Sequence, residues 1–163
     1  MKTLQKYHMQ KKEREILDKK ILFEILKNGK FSTISMCRNN EPYIVTLNYG
    51  FDEIHNCLYF HSAQKGLKLE YLKENQKVCG TILEDLGYVK SACSHKYRSI
   101  VFWGDMTIVE NLDEKKHAFD TMLKHLEDNP SKLKKKFFKS DKSYKNTSLL
   151  KLDISLITGK ASE

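Results

Sequence analysis

The chain of 163 residues lacks the signals of several common protein classes. It has no run of about 18 apolar residues, which excludes a transmembrane helix. The stretch Met1–Glu15 contains no apolar core of a secretory signal, so a cytoplasmic location is expected. Four cysteines occur without a C-x-x-C pair, which argues against a zinc ribbon or a thioredoxin-type site. Cys93 and His95 supply too few ligands for a metal, so we expect no metal site and free thiols, buried for all but Cys93.

Two enzyme signatures are also missing. No G-x-G-x-x-G follows a predicted strand, which argues against a dinucleotide-binding fold, and no G-x-S-x-G marks a serine nucleophile. The chain shows no internal repeat, low-complexity tract or linker. Its length therefore predicts one domain over residues 1–163, and its 40% hydrophobic content is sufficient for one core.

Positive charge is in excess and is partly local. Lysine and arginine number 29 against 21 acidic residues, a formal net charge of +8. Between Ser131 and Lys145, seven lysines accompany one aspartate. Such a run can attract nucleic acid, but no recognition-helix or RNA-binding signature accompanies it. We interpret it as a solvated loop, with residues 1–11 and 131–146 peripheral to the domain and nucleic acid not expected as a partner.

Hydrophobic periodicity predicts a mostly β chain with some α-helix. Helices are predicted at 12–27, 66–75 and 112–129, and strands at 31–37, 42–51, 57–61, 77–84, 98–110 and 150–156, with a loop at 86–96. In the last strand, Leu150, Leu152, Ile154 and Leu156 alternate with polar residues and should share a buried face. Six strands joined mainly by hairpin turns favour an antiparallel barrel over a parallel α/β sheet.

One segment combines a strand end, a loop and a helix start with groups that bind anions. It reads LYFHSAQKGLKLE over residues 58–70. The N–H groups of a helix N-terminus attract phosphate, Ser62 adds a hydroxyl donor, Lys68 a full charge, and Gly66 permits close approach of the backbone. The alternative interpretation is a plain strand–turn–helix joint with an exposed lysine.

Two further segments accompany this one in a recognisable order. PYIVTLNYG occupies residues 42–50, and SHKYRSIVFWG occupies residues 94–104. Together the three segments resemble the pyridoxamine-5′-phosphate-oxidase-like FMN-binding split-barrel superfamily, and look most like its branch of nitroimidazole-resistance-type proteins. The resemblance extends over residues 14–160, with Thr46 where the family usually has proline.

The resemblance implies a six-stranded antiparallel split β-barrel with flanking helices and a homodimer with FMN at the subunit interface. It also implies an FMN-dependent oxidoreductase that takes electrons from NAD(P)H or a protein donor and reduces a small nitroimidazole- or nitroaromatic-type acceptor. The residues that it assigns to the cofactor are Val45, Thr46, Leu47, Asn48, His61, Ser62, Ala63, Gly66, Lys68, Tyr97, Arg98 and Ser99.

The implied roles differ among these residues. The FMN phosphate would lie near Ser62, Lys68 and Arg98, and the edge of the flavin ring against residues 45–48. His61 is the candidate catalytic residue, through a contact to the ring or a proton transfer. The plainer alternatives are a surface ion pair for Arg98 and a hydrogen-bonded histidine that ends a strand for His61.

Two other functions stay open at this point. The same fold can serve as a non-catalytic flavin or haem carrier, with His61 or His95 as an axial ligand. The lysine-rich segment leaves a nucleic-acid-binding protein as a third possibility. Four other histidines have no evident partner in the sequence and are expected on the surface; they are His55, His95, His117 and His125.

Overall fold

The computed structural model describes residues 9–162, within which six antiparallel strands close into a barrel in the order β1-β2-β3-β6-β5-β4. The strands are β1 (Phe31–Arg38), β2 (Glu41–Asp52), β3 (Cys57–Ser62), β4 (Lys77–Val89), β5 (Ser94–Ile108) and β6 (Ser148–Ser162). The helices are α1 (Lys19–Asn28), α2 (Leu67–Glu74), α3 (Leu112–Leu126), α4 (Pro130–Phe137) and α5 (Asp141–Lys145). The predicted antiparallel barrel with flanking helices is confirmed. No helix in this described part is long and apolar enough to cross a membrane.

The barrel interior forms the main hydrophobic core. Alternate residues of each strand point inward, so that Tyr49, Phe60 and Phe102 are completely buried. Burial of each such side chain contributes about 1.5–3 kcal/mol. Residues of α1 and α2 complete the core from outside the barrel wall; they are Leu22, Ile25, Leu26, Leu69, Tyr71 and Leu72.

A second core lies outside the barrel, between α3 and the outward faces of β2 and β3. It contains Tyr59 and Cys57 from β3 and Phe119 and Met122 from α3. The helix packs closely because Gly50 has no side chain: a Cβ at that position would lie 2.6 Å from the Met122 Cα.

The lysine-rich segment is folded, and the predicted solvated loop is wrong. Pro130 begins α4 behind an Asn129 side chain that accepts from the Lys132 N–H. After α4, Phe138 and Tyr144 stack with ring centroids 4.8 Å apart, and Phe138 lies 4.3 Å from Phe119. These aromatic contacts hold the segment against α3 while its lysines stay largely on the outside. The other segment expected to be peripheral, residues 1–11, lies mostly outside the described residues.

The first helix is shorter than predicted. Periodicity extends back to residue 12, but α1 begins at Lys19 because the Asp18 side chain caps it, accepting from the Lys20 N–H at 2.8 Å. The preceding chain follows β6 instead: Glu15 forms a bridge with Lys160, and the Ile16 N–H donates to the Gly159 carbonyl. Pairing with β6 therefore takes precedence over helix formation here.

The predicted loop at 86–96 is a continuation of two strands. Beyond a register shift between Asp85 and Tyr88, β4 and β5 stay paired to Val89 and Ser94. The resulting arm leaves apolar side chains in solvent: Leu83 is 64% exposed and Tyr88 is 58% exposed.

A bulge changes the inward-facing set of β6. Leu150, Leu152 and Ile154 are buried as predicted, but the register between β5 and β6 shifts at Trp103 and Gly104. Beyond it Ile157, not Leu156, packs against the core. All four cysteines are free, but of the three expected to be buried only Cys57 is: Cys79 is half-buried, and Cys37 is exposed like Cys93.

Candidate functional site

The end of β3 brings His61 and Lys68 together at the start of α2. Partial burial, followed by the positive charge of Lys68, lowers the pKa of His61 below its ordinary value. The His61 ring lies 6.2 Å from the Phe119 ring. His61 is therefore neutral at pH 7, with one nitrogen able to donate and the other able to accept a hydrogen bond.

Lys68 carries a charge that no acidic side chain among residues 9–162 neutralises. It lies in the first turn of α2, where Gly66 is the N-cap residue with φ 143° and no side chain caps the helix. A Cβ at Gly66 would meet nothing within 4 Å, so the space beside this residue is open. The free N–H groups of this turn and the Lys68 ammonium together favour an anion.

Ser62 and Ala63 shape the loop between β3 and α2. Ser62 is 4% exposed and pairs with Ser148 of β6, and its hydroxyl donates to the Ala63 carbonyl at 3.0 Å. The hydroxyl thus tightens the loop in this structure. Ala63 is exposed on the same loop.

A basic groove of about 450 Å³ adjoins this loop. It contains four lysines and one glutamate, which makes its charge strongly positive. Its lining residues are Gln64, Lys65, Gly66, Leu69, Glu70, Lys73, Ile108, Lys115, Lys145, Thr147 and Ser148.

The second group of expected site residues lies on β2. Val45 and Leu47 point toward the core, whereas Thr46 and Asn48 point outward and are exposed. Thr46 pairs with Thr33 of β1, their hydroxyls 3.0 Å apart, so threonine in place of the usual proline keeps a regular ladder here. The strand register puts Asn48 one residue beyond the Tyr49–Phe60 pair, level with His61. The outward face of β2 is therefore adjacent to the end of β3.

The third group lies on the arm of β5. Tyr97 and Ser99 are half-buried and alternate with Arg98 along the strand. The Arg98 guanidinium is already paired, with its Nε 2.7 Å from Glu84 and a second nitrogen 3.8 Å from Glu24. Unlike Lys68, Arg98 therefore has little uncompensated charge within its own chain.

One chain does not bring Arg98 to the groups around Lys68. Ser62 pairs with Ser148 at the start of β6, whereas Arg98 pairs with Ala161 near its end. Among residues 9–162, no hydrogen bond or ion pair joins Arg98 to Ser62 or Lys68, because the Arg98 side chain is directed at Glu84 and Glu24. The expected phosphate cluster is therefore not assembled through direct contacts within one chain.

The four histidines expected on the surface all have partners, which the sequence analysis missed. His95 Nε2 lies 2.7 Å from Asp85 on the β4–β5 arm, and His125 Nε2 lies 2.7 Å from the Gly29 carbonyl. His55 and His117 both contact Asp52. The Asp52–His55 spacing of three residues across a turn was a visible signal, but His117 is 65 residues away and only the packing of α3 brings it there.

Comparison with known proteins agrees with this geometry. The family profile described as pyridoxamine 5′-phosphate oxidase matches residues 18–161. A crystal structure from Bacteroides thetaiotaomicron, named for 5-nitroimidazole antibiotic resistance, is 27% identical, with 91% of this chain and 90% of that chain covered and a TM-score of 0.77.

Two more distant structures share the fold. An FAD- and haem-binding protein from Mycobacterium smegmatis is 18% identical over 92% of this chain and 74% of its own, with a TM-score of 0.76. A flavocytochrome from Azotobacter vinelandii is 16% identical over 99% of this chain and 75% of its own, with a TM-score of 0.78. No curated protein sequence matches the chain. The family profile covers most of the residues, and the chain belongs to the pyridoxamine 5′-phosphate oxidase family of flavin-binding split barrels.

Proposed function

We propose that the protein is a cytoplasmic FMN-dependent oxidoreductase that reduces a small nitroaromatic-type acceptor with electrons from NAD(P)H or a protein donor. The observation that carries the proposal is the Lys68 ammonium at the uncapped start of α2, which no acidic side chain of residues 9–162 pairs with, beside a neutral His61. A phosphate-bearing cofactor needs such a cation, and a redox cofactor benefits from a nearby group that can donate or accept a proton.

The phosphate end of FMN fits the start of α2. A phosphate monoester carries a charge of about −1.5 to −2, which Lys68 and the helix N-terminus offset in part. The lysines of the adjoining groove raise the local positive potential further. Because the space beside Gly66 is open, the backbone N–H groups can be reached directly.

The ring of FMN fits the outward face of β2 next to His61. Thr46 and Asn48 offer polar groups for the edge of the ring, and Phe31, which pairs with Asn48, offers an apolar surface that is 59% exposed. Bound FMN would supply the electron transfer itself. His61 would hold a hydrogen bond to the ring or pass a proton at one of its nitrogens, which its neutral state permits.

A homodimer would bring Arg98 and Lys68 to one cofactor. No contact joins these two residues within the described part of one chain, so a cofactor that contacts both would bridge two chains related by a two-fold axis. Such an interface would also cover exposed apolar side chains on the outside of the barrel, including Ile44 at 63% and Leu83 at 64%. A stable interface on this face would bury more than about 1,000 Å² in total.

Electron transfer by the loaded protein tests this function. FMN-loaded protein is reduced anaerobically with NADPH, NADH or dithionite, and a nitroimidazole, a quinone or oxygen is then added. We expect reoxidation of the flavin with matching loss of the nitro compound. Tight FMN binding without reoxidation by any acceptor would contradict an enzymatic role.

The second candidate is a flavin or haem carrier without turnover. It is favoured by the exposed position of His61 at a strand end, and by the FAD- and haem-binding structures that share the fold. The absorption spectrum separates the two cofactors, since haem gives one intense Soret band and flavin gives two weaker bands in the near-ultraviolet and the blue. Replacement of His61 by alanine should abolish the Soret band if this residue is the axial ligand.

A further inference from the structure

Asp52, His55 and His117 meet between the β2–β3 turn and α3, and none of them lines the basic groove. Their ligand atoms all lie within 4.8 Å of one another. The Asp52 side chain is 6% exposed, whereas those of His55 and His117 are 57% and 48% exposed. A buried carboxylate thus faces two imidazoles that solvent can reach.

The two oxygens of Asp52 have separate partners. Oδ1 accepts from the backbone N–H groups of Ile54 and His55, each at 3.1 Å, which fixes the turn. Oδ2 faces the rings, 2.8 Å from His55 Nδ1 and 2.5 Å from His117 Nε2. A carboxylate whose second oxygen is held by other hydrogen bonds is an oriented ligand, as metal sites require.

The position of His117 is set by the packing of its helix. Because Gly50 has no side chain, the α3 backbone packs directly against β2. This close contact sets the distance between His117 and Asp52. The ring lies 5.8 Å from Tyr59 at 80° and 5.6 Å from His55 at 84°. These edge-to-face contacts restrain the ring and keep Nε2 directed at the carboxylate.

We propose that Asp52, His55 and His117 bind a divalent transition-metal ion, with Zn²⁺ as the best match. Two imidazole nitrogens and one carboxylate oxygen form a ligand set that suits zinc, cobalt, nickel and ferrous iron. Three protein ligands leave a further position for water or a small ligand. A cleft of about 470 Å³, lined in part by Asp52, His117 and Thr121, gives access to it.

The change needed to admit the ion is small. Ligand bonds of about 2.0–2.2 Å place neighbouring tetrahedral ligands about 3.4 Å apart. The Asp52 Oδ2 must therefore separate from each nitrogen by less than about 1 Å. The two half-exposed rings can rotate by this amount, and the metal then replaces the ring protons that Asp52 now accepts.

Cobalt and zinc titrations of the full chain test the site, with any histidine tag removed. Because Cys37 and Cys93 are exposed and could bind metal, both are replaced by serine in every sample. We expect one Co²⁺ per chain with the visible bands of a low-coordinate ion, displaced by Zn²⁺. His117→Gln and His55→Gln should each weaken binding by at least about a hundredfold, since even loss of an outer-shell partner costs about 10–100-fold.

His95→Gln is the matched control. His95 also lies 2.7 Å from a carboxylate, that of Asp85, but no third ligand from the described residues joins this pair. Its replacement should leave the cobalt spectrum and the affinity unchanged, as well as the rise in Tm that Zn²⁺ produces. If His117→Gln folds poorly, His55→Gln decides, because His55 lies in an exposed turn. Absence of a cobalt spectrum in the parent protein, or equal loss in the His95 variant, would show that the three residues form only a hydrogen-bonded clamp.

Discussion

Removal of the Lys68 charge should weaken FMN far more than riboflavin, which has the same ring but no phosphate. Lys68 lies in the first turn of α2, and no acidic side chain of residues 9–162 competes for its ammonium. A hydrogen bond to a charged group contributes about 1.5–3 kcal/mol. Since about 1.4 kcal/mol is a factor of ten, Lys68→Ala should weaken FMN by about ten- to a hundredfold.

Quenching of flavin fluorescence in parallel titrations measures both affinities. Lys73→Ala is the matched control, because this substitution removes the same charge from the same helix but from its last turn. This variant should change FMN affinity by less than about threefold through long-range attraction alone. An equal loss of FMN and riboflavin affinity in Lys68→Ala would refute the assignment of this residue to the phosphate. An equal loss of FMN affinity in Lys68→Ala and Lys73→Ala would show that Lys68 contributes only to the overall positive charge of the surface.

Three further predictions concern the flavin ring, the subunit interface and Asp52. His61→Ala should slow flavin reoxidation by about a hundredfold, the lower end of the effect of a proton-transfer partner, and should leave the flavin content unchanged. A rate loss below about threefold would show that His61 only contacts the ring. Sedimentation velocity at micromolar concentration should show a dimer, and Leu83→Glu should disrupt it with loss of flavin. The control Ile54→Glu also replaces an exposed apolar side chain, 91% exposed elsewhere on the surface, and should leave the dimer intact. A monomeric parent protein would contradict the shared site. Burial alone would raise the pKa of Asp52, but the hydrogen bonds from His117 and His55 together outweigh it and lower this pKa from 3.8 to about 2. The stabilisation is therefore present above pH 3.8 and is lost as the pH falls toward 2. In EDTA, Asp52→Asn should therefore reduce the free energy of unfolding by about 2 kcal/mol more at pH 6 than at pH 2, measured by urea titration, and a pH-independent difference would contradict this.

Patterns local in sequence predicted the barrel well. In β2, which lies where a strand is predicted at 42–51, Tyr43, Val45 and Leu47 point inward and Thr46 and Asn48 outward. The turn at Asn39 and Asn40, both with positive φ, falls in the gap between the strands predicted at 31–37 and 42–51. Such features follow from the period of a strand and from turn chemistry, which depend only on near neighbours.

Features that depend on distant residues were not predictable in the same way. The periodic stripe before Lys19 has the spacing of a helix, yet the chain there pairs with Gly159 and Lys160 at the other end of the sequence. The outward turn of Leu156 follows from a bulge against β5, and no local pattern marks a bulge in this position. Tertiary pairing outweighs local propensity in both places.

The candidate site was predictable in its residue types but not in its arrangement. The strand–loop–helix signal around His61 and Lys68 is local, and the structure brings these two residues together. The pairing of Arg98 with Glu84 and Glu24 depends on tertiary packing, which spacing in the sequence does not show. The meeting of His117 with Asp52 likewise depends on how α3 packs across Gly50.

The absorption spectrum of the purified protein is the most direct test of the claim that this chain binds FMN. The proposal predicts two flavin bands, in the near-ultraviolet and the blue, from a cofactor that is released on denaturation and identified by chromatography as FMN. Supplementation with FMN should complete the occupancy of any empty sites. A protein that stays colourless after incubation with FMN, or that shows a Soret band and no flavin, would contradict it.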